Sequence, residues 1–349
     1  MTTPALPQLP DAFGRLAPEV EAELRRALDG RELPLYDMLR YHLGWQDAAG
    51  AAGPGRRGKG LRPTLCLVAS DAVSGEHDRA LPAAAAVELV HNFSLIHDDI
   101  QDGDAERHHR PTVWRVFGEA QAINAGTAMY ALAGLALARL GEEGVPEGMQ
   151  LAALKRVHGT CLRLLEGQYL DLAFEARLDI TVDDYLRMIR GKTAALLGCS
   201  AALGALLGSA GEQRPEAAAF QELGEELGLA FQIRDDMLGI WGDARQTGKP
   251  VGADIKARKK SLPVVDALER AGGSRGDALR AVYAAPEVDD EGRDLVLDIL
   301  ADVGAEARAR SLAERHRDRA LAAVAGLPLE PRARDDLEAI AAFLTERDH

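Results

Sequence analysis

The sequence predicts an all-α protein, a single-domain bundle of about ten or more helices, and three observations carry that expectation. The 349 residues are 47% hydrophobic but only 5% aromatic, with Ala and Leu abundant. That composition favours packed helices, because β-branched and aromatic residues are the strand formers. Apolar residues recur at helical spacing along most of the chain, and no alternating stretch of useful length interrupts them. The breaks between periodic segments carry Gly and Pro clusters of the kind that form loops. A chain of this length buries a sizeable core as one large domain or two ordinary ones. No linker is long or polar enough to divide it, so one helical domain is expected over 16–349 behind a loose arm, 1–15, that holds Pro4, Pro7 and Pro10.

Taken in order, helical spacing begins near Leu16 and runs to about Leu43. Gly53-Pro-Gly-Arg-Arg-Gly-Lys-Gly60 is a glycine-rich basic loop, followed by Leu61-Arg62-Pro63 and an apolar helix from Thr64. A basic loop entering a helix suits phosphate, through free backbone N–H groups and nearby cations. Its Gly-Lys is followed by Gly60, so it is not a P-loop, and a solvated surface loop around Arg56 and Arg57 is the plainer reading. Helices are predicted over 81–102, 112–140, 147–177, 182–207, 214–240, 259–271, 277–284, 291–303 and 305–325, with a last one near 333–346. The run Ile123 to Ala138 is the most membrane-like, yet it is rich in Ala and Gly, holds Asn124 and Thr127, and reads as a core helix.

Charge and cysteine content narrow the function classes. A net charge of −14 and a pI near 5.2 argue against general affinity for nucleic acid or anionic membrane surfaces. They leave room for an anionic substrate, because a few local cations and bound metal override the global sign. Cys66, Cys161 and Cys199 show no zinc spacing and read as buried thiols of a reducing compartment. Met1 to Pro10 shows no basic patch followed by an apolar run, so the expectation is a soluble cytoplasmic protein without stable membrane insertion.

The chemistry concentrates in Leu95-Ile-His-Asp-Asp-Ile-Gln-Asp102. Asp98 and Asp102 stand one helical turn apart, so their carboxylates share a face, with Asp99 beside them. Arg107, His108, His109 and Arg110 follow, ended by Pro111. Carboxylates this close repel unless a cation lies between them, and magnesium prefers oxygen ligands completed by substrate phosphates and water. The alternative is a solvated acidic face. It fits poorly with the apolar stretch from Ala83 to Ile96.

A second constellation follows about 135 residues later, Phe231-Gln-Ile-Arg-Asp-Asp236, where Asp235 and Asp236 again end an apolar stretch. Lys249, Asp254 and the pair Lys259-Lys260 lie just beyond, while Lys192-Thr193 and Gly167-Gln168 with Asp171 border other apolar runs. Two helix-borne Asp pairs beside cations could face each other across a bundle and clamp a diphosphate through magnesium.

These blocks resemble the trans-type polyprenyl diphosphate synthases, which make geranyl, farnesyl and geranylgeranyl diphosphates. The similarity is dense over roughly 50–270 and keeps the order of every block: GK-x-LRP (58–63), ELVH…LIHDDIQD (88–102), R-x-x-RPT (107–112), EGQ-x-x-DL (166–172), GKT (191–193), FQIRDD (231–236), GKPVGAD (248–254) and KKSLP (259–263). The resemblance implies an isoprenoid synthase bundle around a central cavity, a homodimer, and magnesium, with three ions when diphosphate is bound. It implies that Asp98, Asp102 and Asp235 ligate the metal with Asp99 and Asp236 assisting. Arg107, Lys192, Gln232 and Lys249 would hold an allylic diphosphate, with Thr193 and Lys259 also lining substrate. Lys59, Arg62 and His91 would hold isopentenyl diphosphate.

Departures from the family pattern are His108, where a second Arg usually contacts isopentenyl diphosphate, His109 in place of a Gly, and Gly239 in place of the last Asp of the second acidic motif. The shorter His108 carries only partial charge at neutral pH, and Gly239 implies weaker outer support for metal. Phe93 lies five residues before Asp98 and Ser94 four before, an arrangement that resembles synthases stopping at twenty carbons. The rivals are a terpene cyclase on the same scaffold and a non-catalytic modulatory subunit. A di-iron bundle using Glu88-x-x-His91 and Glu106-x-x-His109 also fits a metal spacing, as does a phosphohydrolase using His97-Asp98. Lys59, Arg62 and His91 speak against the cyclase, and the retained Asp pairs against the silent subunit. The basic residues speak against the other two.

Overall fold

A computed structural model describes residues 9–53, 58–209, 216–242 and 250–345. Lys249, Arg56, Arg57 and the tail beyond 345 lie outside the described residues. The protein is an all-α bundle. Helix α1 (Asp11–Ala27) begins earlier than the periodicity from Leu16 indicates, because Ala12 and Phe13 continue the buried stripe of Leu16, Val20 and Leu24. The expected loose arm is therefore helical from Asp11, directly after Pro10. Phe13 packs on Phe343, ring centres 5.7 Å apart, so this first helix is tied to the last.

Helix α2 (Pro34–His42) follows, then α3 (Leu61–Ser74) and α4 (Leu81–Gln101), the helix that ends in the first acids. Both α3 and α4 are buried nearly all round, as their apolar sequences require. A short α5 (Val113–Phe117) leads to α6 (Glu119–Ala138) and the long α7 (Glu147–Phe174). The predicted helix 182–207 is in fact three pieces: α8 (Val182–Ile189), a π-helical turn (Arg190–Ala194) and α9 (Ala195–Gly208). Then come α10 (Glu216–Trp241), a single turn α11 (Ala253–Lys256), α12 (Leu262–Arg270), α13 (Gly273–Ala284), α14 (Asp290–Asp302), α15 (Ala305–Val324) and α16 (Pro331–Thr345).

The small side chains of α9 let it pack closely between α3 and α10, and α10 packs in turn on α15. On the other side α4 lies along α6. Two segments, Glu119–Gly141 and Val182–Gly208, are long and apolar enough to cross a membrane, but 78% of the second's apolar window and 44% of the first's is buried inside the protein. The three cysteines are free and buried, as expected.

Among the described residues, the structure adds a two-residue antiparallel ribbon that the sequence did not show, β1 (Glu106–Arg107) and β2 (Arg110–Pro111). Its turn residues His108 and His109 both have left-handed backbone, φ 51° and 59°. A two-residue hairpin of this hand requires positive φ at both positions and normally recruits Asn or Gly. Glu106 and His109 thus sit in a strand and a turn, which removes the helical Glu-x-x-His pair that a di-iron site needs. His97 reaches away to α6, its Nε2 3.3 Å from the Ile123 carbonyl.

Candidate active site

The last turn of α4 gives its three aspartates different surroundings. Asp98 is half-buried, and burial pushes its pKa up to about 6; the Asp102 and Asp99 charges add to that, while Lys192 and Arg107 oppose it. Asp102 stands at the helix end with its residue surface open to solvent, yet the protein packed around its carboxyl desolvates that group enough to raise its pKa, against the pull of Lys192. Asp99 points elsewhere, as successive helical residues must. It is 1% exposed and accepts from both Nε and Nη2 of Arg107 at 2.7 Å. Asp99 therefore fixes the arginine.

The ribbon aims Arg107 back at the helix end because its partner strand is anchored. Arg110 donates to the carbonyls of Tyr41 (3.2 Å) and Gln46 (3.1 Å), and stacks on the Tyr41 ring. Tyr41 closes the loop by donating to the Pro111 carbonyl at 2.7 Å. His42, 3.1 Å from Asn92 on α4, is held neutral: burial, then the Arg107 charge, lower its pKa to about 3. His108 is exposed at the tip of the turn.

The second acids end on α10 with the same division of labour. Asp235 is exposed. Asp236 is 1% exposed and accepts from the Tyr185 hydroxyl (2.6 Å), the Leu262 N–H (2.9 Å), Gln232 Nε2 (3.2 Å) and Lys259 Nζ (3.3 Å). Lys259 is also 3.5 Å from Asp254, and Asp236 first, then Asp254 and Asp235, raise its pKa strongly. A Cβ added to Gly239 would stand 2.0 Å from Oδ2 of Asp254. The volume of the missing side chain at 239 is thus filled by a carboxylate brought in from α11.

Between the two acid pairs lies the π-helical turn. A Cβ on Gly167 would be 2.1 Å from the Lys192 nitrogen, and one on Gly191 would be 2.6 Å from the Arg163 carbonyl. Only glycines let α7 and the turn approach so closely. The approach sets Lys192 Nζ 2.5 Å from Asp171 Oδ2 and leaves Thr193 donating to Gln232 at 2.9 Å. Gln168, buried on α7, donates to Gln101 at the end of α4 at 3.0 Å. The result is an alternating array: Asp98 and Asp102, Lys192, Asp171, Lys259, then Asp235, Asp236 and Asp254. The oxygen donors of Asp98, Asp102 and Asp235, two of them exposed and the third with a raised pKa, fit a hard divalent cation.

The remaining predicted residues sit beside this array. Arg62, half-buried in the first turn of α3, has its pKa lowered to about 10 by burial, against the nearby Glu88 charge of α4. His91 is half-buried on α4, two turns before Asp98 and so on the same face. Lys59 is exposed and lies over the Phe343 ring at 4.9 Å, against the last helix. Sequence reasoning left Asp171, Tyr185 and Asp254 without roles. The first and last stand inside quoted motifs, whereas Tyr185 has no local signal at all.

A separate trio, Glu19, His77 and Asp78, brings ligand atoms within 4.8 Å of one another. It lies before the start of α4, about 30 Å from Asp98 by helical rise. Both ring nitrogens of His77 are 2.8 Å from carboxylates, those of Asp71 and Glu19, and these bonds raise its pKa to about 9. A doubly hydrogen-bonded imidazolium has no lone pair for a metal, so this trio is an ion-pair clamp.

Helix-borne carboxylates facing fixed cations across an apolar bundle define the isoprenoid synthase class. The polyprenyl synthetase family model matches residues 48–299. A geranylgeranyl diphosphate synthase of Mycobacterium tuberculosis is 48% identical over 266 residues, 75% of this chain and 73% of that protein. A (2E,6E)-farnesyl diphosphate synthase of Mycobacterium bovis is 38% identical over 99% of this chain and 94% of its own length. The crystal structure of a polyprenyl synthetase from Streptomyces coelicolor superposes with a TM-score of 0.88 at 37% identity, covering 95% of this chain and 98% of that one. The chain belongs to the polyprenyl synthetase family and is a prenyltransferase.

Proposed function

We propose that the protein condenses isopentenyl diphosphate head-to-tail with an allylic diphosphate, giving a short all-trans prenyl diphosphate, with geranylgeranyl diphosphate as the product. The observation that carries this reading is the alternating array of carboxylates and lysines between α4, α7 and α10. In it Asp98, Asp102 and Asp235 would hold magnesium, three ions once diphosphate is bound. Magnesium there supplies charge neutralisation for the departing diphosphate. Arg107, Lys192, Gln232 and Lys259 bind the allylic diphosphate, with Thr193 orienting Gln232 and Lys249 expected to join them. Lys59, Arg62 and His91 bind isopentenyl diphosphate, with the shorter His108 standing in the place of the family's second Arg.

The chemistry needs no protein nucleophile. Heterolysis of the allylic C–O bond leaves a carbocation and a diphosphate anion. The alkene of isopentenyl diphosphate supplies the electron pair for the new C–C bond, and a proton then leaves to form the new double bond. The departing diphosphate is the base. Fixed cations stabilise the anion as it forms, which is where preorganised charge has most effect. Buried Asp99 and Asp236 keep Arg107 and Lys259 aimed, and the apolar interior below Asp98 excludes water from the cation.

The purified protein should convert isopentenyl diphosphate plus dimethylallyl, geranyl or farnesyl diphosphate, only with magnesium present, into linear alcohols after phosphatase treatment. A hydrocarbon formed without isopentenyl diphosphate would make it a cyclase instead. Activity appearing only on mixing with another subunit would make it a modulator. We also propose a cytoplasmic homodimer. Leu162 and Tyr169 of α7 are 63% and 71% exposed, and Ile123 and Leu135 of α6 are about half exposed, an apolar surface that suits a second copy. Tyr169→Glu should halve the mass seen by sedimentation, and an unchanged monomeric mass for wild type would sink the dimer.

A further inference from the structure

Glu225 and Glu226 of α10 are charges that the reaction above leaves unused, the first half-buried and the second buried. Gln221, Glu225, Gly228, Gln232 and Asp236 recur at helical spacing, so Glu225 stands on the face of α10 that carries Gln232 and buried Asp236. Two glycines bring that face close to its neighbours. A Cβ on Gly198 of α9 would stand 2.6 Å from Cγ of Glu225, and one on Gly228 would stand 2.5 Å from Cα of Ala194, the last residue of the π-helical turn.

Both carboxylate oxygens of Glu225 are engaged. Oε1 accepts from Arg163 of α7 at 2.7 Å and from Gln221 at 2.8 Å. Oε2 faces Nη1 of Arg190, the first residue of the π-helical turn, at 3.4 Å. The same Nη1 is 3.7 Å from Oε1 of Glu226. Oε2 of Glu226 is in turn 2.6 Å from Nδ1 of His316, buried on α15. Burial works against ionisation of both glutamates. It is outweighed by the bonds from Arg163 and Gln221 at Glu225 and from His316 at Glu226, so both carboxyls are held below their usual range. Helices α7 and α15 and the turn thus meet on two adjacent ionised side chains of α10.

The turn is tied to α10 on both sides of its lysine. Arg190 reaches the glutamates, and Thr193 donates to Gln232 at 2.9 Å. Lys192 lies between these ties in sequence, with its ammonium on Asp171 of α7. A lysine head rides on a flexible four-carbon stem, so the backbone beneath it must be held for the charge to keep one place. Exposed ion pairs add little, but loss of Arg190 would leave two poorly hydrated carboxylates side by side with one cation fewer between them.

We propose that Arg190 and Glu225 are positioning residues for Lys192: their ion pair anchors the π-helical turn to α10 and so fixes the lysine that meets the allylic diphosphate. Neither stands among the reacting groups. The inference deepens the prenyl-elongation reading above and rests on it.

The test is steady-state kinetics with geranyl and isopentenyl diphosphates and magnesium on Arg190→Gln, Glu225→Gln and Arg190→Lys, each made alone and together with Lys192→Ala. Arg190→Gln and Glu225→Gln should each raise KM for geranyl diphosphate about tenfold, as loss of one bond between charged groups predicts, with KM for isopentenyl diphosphate near wild type. Arg190→Lys should recover most of that loss, because a single nitrogen makes both contacts and an ammonium can take its place. In the Lys192→Ala background neither glutamine substitution should have a further effect, since the anchor acts through that lysine. Arg190 is half-exposed, so Arg190→Gln carries the test if Glu225→Gln fails to fold. Folded variants whose two KM values are unchanged or rise together, or whose effects add to that of Lys192→Ala, would overturn the anchor while leaving the elongation reading intact. Wild-type protein that consumes no isopentenyl diphosphate would overturn both.

Discussion

Asp98 and Asp99 are adjacent yet serve opposite ends, one half-buried beside like charges, the other neutralised by Arg107. Because the folded pKa of Asp98, about 6, lies above 3.8, the metal-free fold binds this proton more tightly than the unfolded chain. Its contribution to stability is therefore full at acid pH and is lost as pH rises from about 4 through about 6. Asp98→Asn should accordingly raise the melting temperature of the chelator-treated protein at pH 7, by about 1–2 kcal/mol equivalent, with the gain vanishing near pH 4. The same change should cut kcat roughly 10²-fold or more, by loss of fixed electrostatic support. His109 makes a different trade. Its φ of 59° costs a side chain what it would not cost glycine. His109→Gly should stabilise by about 0.5–1 kcal/mol after glycine's own entropy is counted, seen as a higher urea midpoint.

At the scale of elements, the π-helical turn is the part of the site that most depends on close approach. Extra-residue turns of this kind recur at functional sites because they re-aim a side chain within a helix. Here the turn carries Lys192, and the pairing of Gly167 with Gly191 sets its distance from α7. Gly167→Ala should force α7 away and break the contact of Lys192 with Asp171, at a cost of about 1–3 kcal/mol. The kinetic signature is a raised KM for the allylic diphosphate with helix content unchanged by circular dichroism. An unaltered KM would show that the close approach serves packing alone.

Across the whole molecule, His77 joins Glu19 of α1 to Asp71 of α3 and so ties the first helix to the core. Its folded pKa, about 9, is raised chiefly by the bond to Asp71. A histidine raised above its ordinary 6.5 stabilises fully below that pH, and the stabilisation is lost as pH climbs to about 9. The melting temperature should fall over that window, by up to about 3 kcal/mol of stability, and His77→Gln should flatten the profile. A wild-type profile already flat between pH 6.5 and 9 would contradict the clamp.

Residue spacing was enough to define the helices, the single bundle and both acid pairs, because helical periodicity and i, i+4 geometry are local properties. It was enough, too, for the order of motif blocks that carries the family resemblance. What spacing could not reveal were distances between segments remote in sequence. Tyr185 reaches Asp236 across 51 positions. Asp254 fills the place left by Gly239 from another helix, the loose-arm reading of 1–15 yielded from Asp11 onward to packing on Phe343, and the single-helix reading of 182–207 yielded to the close approach at Gly167. Local chemistry determined which residues could bear charge and which could pack. Only the tertiary structure decided which charges meet, since burial and cross-helix contact set every pKa and every aimed side chain in the site.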